Sequence, residues 1–271
     1  MLKIGIVGCG AIGGSLAKTV TRDLSAAASL AALYDFDRKK AEALSARLAG
    51  KKNLAVNSLE ELIIKSDLVI EAAHASCSLD IARKAIARGK DVMIMSVGGI
   101  VKDFSALVEA GRKANSRIYI PSGAIAGIDA LKAANLGKIN KVVLTTRKNP
   151  LAFKGVKYIE EKNIKLEKIK KDTVLFSGSA REAMKYFPQN INVAGILSLA
   201  GIGPVKTMVK IVASPGASKN IHEIEIESRA GKIFTRTENV LHPENPKTSY
   251  LAVLSAAAAL KQILGACRVG T

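Results

Sequence analysis

Short apolar runs and amphipathic segments alternate along the first part of the chain. The apolar runs predict strands at Leu2–Val7, Leu30–Tyr34, Leu68–Glu71, Val92–Ser96 and Arg117–Ile120. The amphipathic segments between them predict helices, among them Ile12–Arg22, Lys39–Leu48 and Leu79–Arg88. Apolar strands separated by helices are typical of a parallel sheet that is buried on both faces. We therefore expect residues 1–122 to form a doubly wound α/β domain.

The pattern changes after Ser122. Longer segments with alternating polar positions predict strands at Lys141–Thr146, Thr173–Phe176, Val205–Ala213, His222–Ser228 and Ile233–Thr237. Such alternation is typical of an antiparallel sheet with one face in solvent. Residues 123–249 are therefore expected to form a second, α+β domain with a mostly antiparallel sheet.

Local signals mark several boundaries between these elements. Ser58–Glu61 and Ser179–Glu182 each match a capping box, in which a hydroxyl and a carboxylate bind the free amides of a helix start. A further helix is expected from Asn192. Arg229–Lys232 predicts a hairpin turn in which Gly231 supplies a positive φ. The alanine- and leucine-rich segment Tyr250–Leu264 predicts a helix, within residues 250–271, that packs back on the core.

The loop after the first predicted strand has the spacing of a dinucleotide-binding motif. Residues 8–13 form a G-x-G-x-x-G sequence between a predicted strand and a predicted helix. The first glycine allows a tight turn, the second lets the backbone approach a pyrophosphate, and the third lets the helix pack closely on the strand. The start of the helix adds free amides and a partial positive charge. The domain is therefore predicted to be of the Rossmann type and to bind a dinucleotide through Gly8, Gly10, Ala11, Ile12 and Gly13.

An acidic residue lies where this motif requires one. Asp35 follows the second predicted strand, roughly 20 residues after the last glycine. Its carboxylate can accept hydrogen bonds from the adenine-ribose hydroxyls and would repel a 2′-phosphate, so NAD is favoured as the cofactor. The positive charge of nearby Arg38 could offset this repulsion, which leaves NADP as an alternative. Asp35 could also be an ordinary turn residue before a helix.

Two further loops follow strands of the same predicted sheet. Ligands of doubly wound sheets bind beyond the carboxyl ends of the strands. The loops Ala72–Ala75 and Ser96–Gly99 are therefore expected to face the cofactor, with Ala73 and His74 in contact with it. The alternative is that both loops are tight turns required by the path of the chain. His74 is interpreted as a positioning or surface residue, not as a catalyst.

Composition excludes several classes of protein. Among the 271 residues, no apolar run reaches the roughly 18 residues of a membrane helix. The three cysteines are too widely separated for a disulfide framework or a metal site. Without a signal-peptide pattern, an intracellular, cytoplasmic protein is expected. The net charge of +18 attracts anions, and the absence of a nucleic-acid-binding motif favours small polyanions, such as dinucleotides and dicarboxylates, over nucleic acid.

Four segments, taken together with the glycine motif, resemble the L-aspartate dehydrogenase family. They are PSGAIAG at 121–127, FPQNINVA at 187–194, NIH at 220–222 and ENPKTS at 244–249. They occur in the family's order over nearly the whole chain, and their combination is specific although no single piece is. The resemblance implies oxidation of L-aspartate by NAD or NADP to iminoaspartate. That imine is then hydrolysed to oxaloacetate and ammonia or passed to a downstream synthase in NAD biosynthesis.

The resemblance also implies roles for individual residues. His222 would be catalytic, and Ala124 and an asparagine, Asn192 or Asn190, would contact NAD near the nicotinamide. The chemistry agrees, because an imidazole can hold and release a proton near neutral pH. His222 could otherwise be a buried structural histidine, and the asparagines could be helix caps.

The substrate and the assembly are less constrained by the sequence. Aspartate has two carboxylates to be recognised, and Ser122, Lys247 and Thr248 are the candidate donors. A homodimer through the sheet of the second domain is expected. Two other functions stay open: a reductase of another small acid, similar to homoserine dehydrogenase or dihydrodipicolinate reductase, and a non-catalytic NAD(H)-sensing protein.

Overall fold

The chain divides into two compact units. Residues 1–49, 53–187, 191–243 and 245–270 are described by a computed structural model. The first unit comprises residues 1–121 and 253–269, and the second comprises residues 122–252 with Gly270. The C-terminal segment therefore returns to the unit in which the chain begins.

The first unit is built on a five-stranded sheet in which every pair of neighbouring strands is parallel. The strand order is β2-β1-β3-β4-β5. The strands are β1 (Leu2–Val7), β2 (Ala28–Tyr34), β3 (Leu68–Glu71), β4 (Asp91–Ile94) and β5 (Ile118–Tyr119). The helices of this part are α1 (Ala11–Arg22), α2 (Arg38–Ala49), α3 (Leu59–Lys65), α4 (Ala75–Ala87) and α5 (Phe104–Ala114). The predicted doubly wound Rossmann sheet is confirmed.

One core of this unit lies between its strands and its helices. It contains the fully buried side chains of Ile4, Ile6 and Leu16. Ala256 and Leu260 of the C-terminal helix α11 (Tyr250–Leu264) belong to the same core and are also fully buried. Burying a leucine side chain contributes about 1.5–3 kcal/mol. The last helix therefore contributes buried side chains to this core.

The second unit contains a five-stranded mixed sheet of order β10-β9-β6-β8-β7. Its strands are β6 (Ile139–Lys148), β7 (Thr173–Ser179), β8 (Met208–Ala213), β9 (Asn220–Ser228) and β10 (Gly231–Asn239). Three of the four pairings are antiparallel, and β6 pairs with β8 in parallel. The expected mostly antiparallel sheet is confirmed. Val205 was predicted in a strand but lies in a short helix, because Pro204 fits the first turn of a helix and cannot donate to a sheet.

Further helices and a small hairpin complete the second unit. The helices are α6 (Ile128–Ala134), α7 (Lys157–Glu161), α8 (Ala180–Tyr186), α9 (Ile191–Ala200) and α10 (Gly203–Lys206), and the hairpin pairs β11 (Leu241–His242) with β12 (Asn245–Ser249). Helix α9 begins one residue before the predicted Asn192. None of the helices in the described part of the chain combines the length and apolar character that crossing a membrane requires.

The register of the second sheet separates its side chains into two faces. Thr146 of β6 and Thr237 of β10 both lie opposite His222 of β9. Because directly paired residues project to the same side, these three share one face, which we call the inner face. Ile224 and Ile226 continue that face and are buried. The other, outer face carries charged side chains.

Two predicted helix caps and one predicted hairpin turn can be compared with the structure. Ser179 and Glu182 form the complete capping box at the start of α8. At α3, Ser58 accepts from the amide of Glu61 as expected, but the Glu61 carboxylate binds the amide of Asn57, not that of Ser58. The predicted hairpin joins β9 and β10, and Gly231 has a φ of +133°.

Candidate functional site

The loop between β1 and α1 has open space where a dinucleotide phosphate would lie. Gly8 has a φ of +95°, which an L side chain rarely adopts. A Cβ added to Gly10 would meet no atom within 4 Å, whereas one on Gly13 would collide with the carbonyl oxygen of Gly8. No described side chain caps α1, and its first turn has no acidic residue. The loop therefore fits a pyrophosphate at the helix start.

Asp35 follows β2 beside this loop. Its carboxylate accepts hydrogen bonds from the amides of Cys9, at 2.7 Å, and Asp37, at 2.9 Å. Burial and the nearby Asp35 raise the pKa of the Cys9 thiol to about 12, so this cysteine stays neutral. The guanidinium of Arg38 forms a 2.7 Å ion pair with Glu42. The glycine loop and the carboxylate predicted for the ribose are thus brought together.

A buried acid that the sequence analysis missed holds two loops at the same edge of the sheet. Glu71, the last residue of β3, is fully buried. One oxygen accepts a hydrogen bond from the amide of Ala73 at 2.9 Å, and the other accepts from the amide of Ser96 at 2.9 Å. Burial raises the pKa of Glu71 against the opposing effect of these amides. The sequence offered one clue to the role of Glu71: it is an acidic residue at the end of an apolar run, just before a loop of small residues.

His74 and Gly99 belong to the two loops that Glu71 connects. His74 precedes α4, and its Nδ1 accepts from the amide of Ser76 at 3.3 Å, which makes it a helix cap. A Cβ on Gly99 would collide with the carbonyl oxygen of Ala75, so the two loops touch. Both loops lie at the carboxyl ends of parallel strands, where ligands of this architecture bind.

His222 is the buried centre of a polar cluster on the inner face of the second sheet. Its exposed fraction is 5%. Nδ1 lies 3.0 Å from the hydroxyl oxygen of Thr146, so Nε2 is the ring nitrogen left for a ligand. Burial, and then the charge of Lys148, lower the pKa of His222 to about 3. The imidazole is therefore neutral near pH 7.

Ala124 is connected to the histidine strand through its backbone. Its carbonyl oxygen accepts hydrogen bonds from the Thr237 hydroxyl at 3.1 Å and from the Asn239 side-chain amide at 3.0 Å. The Thr237 hydroxyl also lies 3.5 Å from the carbonyl oxygen of His222. The structure thus brings together two predicted site residues, Ala124 and His222.

Lys148 is a second residue that the sequence analysis missed. It lies two positions after Thr146 on β6 and therefore shares the inner face with His222. Burial lowers its pKa to about 8. Had β6 been predicted to extend beyond Thr146, strand alternation would have placed Lys148 on the same face as Thr146, but the pairing of Thr146 with His222 depends on strand register.

The remaining predicted site residues are Asn190, Asn192, Ser122, Lys247 and Thr248. Asn192 lies in the first turn of α9 with an exposed side chain, and Asn190 lies outside the described residues. Ser122 is partly buried. Thr248 is partly buried in β12, and the side chain of Lys247 lies outside the described residues. The hydroxyl of Ser249 is buried and has no hydrogen-bond partner among the described residues. Over the described ranges, no group of three or more His, Cys, Asp or Glu side chains could hold a metal ion.

Two family profiles match the chain. The family described as aspartate dehydrogenase, C-terminal, matches residues 129–263, and the NAD-binding domain of homoserine dehydrogenase matches residues 8–121. The chain is 46% identical to the L-aspartate dehydrogenase of Methanosarcina mazei over the full length of both. It is 39% identical to the L-aspartate dehydrogenase of Nitrosopumilus maritimus, over 97% of this chain and 96% of that one.

Solved structures share the fold. Aspartate dehydrogenase from Thermotoga maritima superimposes with a TM-score of 0.73 at 24% identity, covering all of both chains. A homoserine dehydrogenase from Thiobacillus denitrificans has a TM-score of 0.64 at 14% identity, over 97% of this chain and 73% of that one. The Rossmann unit followed by a mixed sheet is therefore an arrangement that dehydrogenases use.

Proposed function

Because the chain belongs to the L-aspartate dehydrogenase family, we propose that this oxidoreductase uses NAD to oxidise L-aspartate to iminoaspartate. The single observation that supports the chemistry best is the buried, neutral imidazole of His222, held through Nδ1 by Thr146. It has the protonation state that a general base needs.

The residues of the first unit fit NAD. Gly8, Gly10, Ala11, Ile12 and Gly13 would hold the pyrophosphate at the start of α1. Asp35 would bind the adenine ribose, and its charge would disfavour the 2′-phosphate of NADP. Arg38 is engaged with Glu42, which supports a preference for NAD. When bound, NAD supplies the acceptor for the hydride that leaves Cα of the substrate.

Two sets of residues are proposed to bind the nicotinamide end of NAD. In the first unit they are Ala73 and His74, and the family resemblance assigns Ala124, Asn192 and Asn190 to the same cofactor. The hydrogen bonds from Thr237 and Asn239 fix the Ala124 carbonyl. Ala124 would therefore present its backbone in one fixed orientation.

His222 would manage the protons of the reaction. Aspartate must lose a proton from its ammonium group before the nitrogen lone pair can assist hydride loss. A neutral imidazole can accept that proton at Nε2, while Thr146 holds the ring through Nδ1. Once Nε2 has released that proton to solvent, it can act as a base again and take a proton from the water that attacks the imine carbon. Hydrolysis would give oxaloacetate and ammonia; alternatively, iminoaspartate would pass to a downstream synthase that serves NAD biosynthesis.

We propose a homodimer formed through the outer face of the second sheet. Phe234 on β10 is 62% exposed, and Val174 on β7 is 58% exposed. A second copy of the chain would cover these apolar side chains. Light scattering should report twice the mass of one chain, and Phe234→Glu should shift the protein toward the monomer; a monomeric wild type would contradict the dimer.

An initial-rate assay tests the activity. L-Aspartate with NAD should produce NADH, and oxaloacetate with ammonium should consume it, with lower kcat/KM for NADP(H). L-Homoserine and other small acids serve as competing substrates. Turnover of another acid without turnover of aspartate would contradict the proposed substrate, and NADH binding without any turnover would favour a sensing protein.

The role of His222 has its own test. His222→Ala should lower kcat by about 100-fold or more, the usual contribution of a general base, while NADH affinity stays close to that of the wild type. Unchanged turnover would remove His222 from the mechanism.

A further inference from the structure

Arg147 and Lys148 are consecutive cationic residues of β6, but among the described residues only Arg147 has carboxylate partners. Arg147 projects to the outer face, where its guanidinium pairs with Glu223 at 3.0 Å and Asp172 at 2.7 Å. Lys148 projects to the inner face and is only partly exposed. In the part of the chain that the structure describes, no carboxylate forms an ion pair with its ammonium group.

The inner face around Lys148 is otherwise uncharged. By the strand register, the polar side chains there include Thr146, Asn220, His222, Thr237 and Asn239, and the other described side chains on this face, apart from Lys148, carry no charge. His222 is neutral because of its low pKa. Lys148 is thus the one cationic side chain that the described strands place on this face.

A partly buried cation without a counter-ion is energetically unfavourable. Removing an ammonium group from water costs free energy that only a charged or strongly polar partner returns. The lowered pKa of Lys148, about 8, reflects this cost. At pH 7 the group still carries its proton, so an anionic ligand would find a preformed cation beside the histidine.

We infer that Lys148 binds a carboxylate of the substrate on the inner face of the second sheet, beside His222, and selects for amino acids with two carboxylates. This inference rests on the proposed function, which supplies a dicarboxylic substrate. Unlike Lys247 and Thr248 on the β11–β12 hairpin, Lys148 lies on a central strand. The backbone of Lys148 is held there by a 2.8 Å hydrogen bond from the amide of Ser214.

Carboxylate binding at Lys148 would also affect the base. The charge of Lys148 contributes to the low pKa of His222. A substrate carboxylate paired with the ammonium group would offset that charge and make the imidazole a stronger proton acceptor. Recognition of the dicarboxylate and activation of His222 would therefore occur together.

The experiment compares two ligands that differ by one carboxylate, without requiring turnover. Calorimetry measures succinate and butyrate binding to the NAD-loaded wild type, Lys148→Met, Lys148→Arg and Lys210→Met. Lys210 is an exposed lysine of β8 in the same sheet and serves as the matched control. We expect the wild type and the control to bind succinate at least about tenfold more tightly than butyrate, as a charge-assisted hydrogen bond would give.

Lys148→Met should reduce that preference to nearly one, and Lys148→Arg should keep most of it, while NADH affinity is unchanged in all variants. A succinate preference that persists in Lys148→Met would overturn the inference. So would a loss of NADH affinity in both Lys148 variants, because it would indicate a structural role. Failure of the wild type to oxidise L-aspartate would contradict the proposed function alone, since the succinate comparison is independent of catalysis.

Discussion

The carboxylate of Glu71 accepts a 2.9 Å hydrogen bond from the backbone amide of Ser96, 25 residues further along the chain. Its second oxygen binds the amide of Ala73, so one buried side chain connects the loops that follow β3 and β4. These strands lie on the opposite side of β1 from β2 and Asp35. If Asp35 binds the adenine ribose, the Glu71 loops lie on the nicotinamide side of the cofactor site.

Glu71→Gln should weaken the binding of NADH about tenfold and leave ADP-ribose binding nearly unchanged. Glutamine offers one acceptor oxygen, and its NH2 group would face a second N–H donor, so one loop would be released. Fluorescence titration of NADH and calorimetry of ADP-ribose measure the two affinities. Glu60→Gln, at an exposed position of α3, is the matched control. Equal weakening of both ligands would indicate general damage to the domain and contradict a local positioning role.

Two glycines of the same loop should behave differently when replaced by alanine. Gly10→Ala should fold with wild-type stability, because Gly10 has a φ of −74° and its Cβ would meet no atom within 4 Å. The added methyl group would occupy phosphate space, so NADH affinity should fall about tenfold or more. Thermal melting and NADH titration provide the two measurements.

Gly13→Ala should lower the melting temperature as well as NADH affinity. Its Cβ would collide with the carbonyl oxygen of Gly8 and lie 3.3 Å from a methyl group of Ile6. Overpacking of this kind costs about 1–3 kcal/mol. Equal melting temperatures for the two alanine variants would contradict the different packing of these glycines.

Asp35→Asn should reduce the preference for NAD over NADP by at least about tenfold, because the negative charge that repels a 2′-phosphate is removed. The asparagine oxygen can still accept the hydrogen bond from the Cys9 amide, which keeps the loop in place. The ratio of kcat/KM for the two cofactors is the measurement. Asp37→Asn removes a nearby exposed carboxylate and should leave that ratio unchanged.

Burial of His222 should make the protein less stable in acid. The pKa of this histidine is about 3 in the folded chain and near 6.5 when unfolded. Between these values the unfolded state binds more protons, so stability falls as the pH drops from 6.5 toward 3. The slope from this group is at most about 1.4 kcal/mol per pH unit.

His222→Gln removes this titration. Urea unfolding at several pH values between 7 and 4 should therefore show a smaller loss of stability in the variant than in the wild type. The comparison cancels the contributions of the carboxylates that both proteins share. Parallel curves would show that His222 is not held neutral by the fold.

Sequence patterns predicted the elements whose signals are local. The glycine loop, the Ser179 capping box and the Gly231 hairpin each depend on a few adjacent residues, and all three are present. Periodicity also located the parallel strands and the final helix, because each buries a regular apolar pattern.

Features that depend on strand register were not predictable in the same way. The parallel pairing of β6 with β8 joins segments about 60 residues apart, and no local pattern encodes it. The same register places Thr146 opposite His222 and thereby puts Lys148 on the face of the histidine. Glu71 was missed because one acid at the end of an apolar run gives no periodic signal, although its surroundings in the sheet make it a buried connector.

The contribution of α11 to the core of the first unit has a consequence for synthesis of the protein. Ala256 and Leu260 complete an apolar core whose other buried residues all lie between Ile4 and Met93. While the second unit is still being synthesised, the part of the Rossmann core that α11 covers stays exposed in the nascent chain. A chain released early would therefore lack a finished nucleotide-binding half, even though every residue of the glycine loop had already been made.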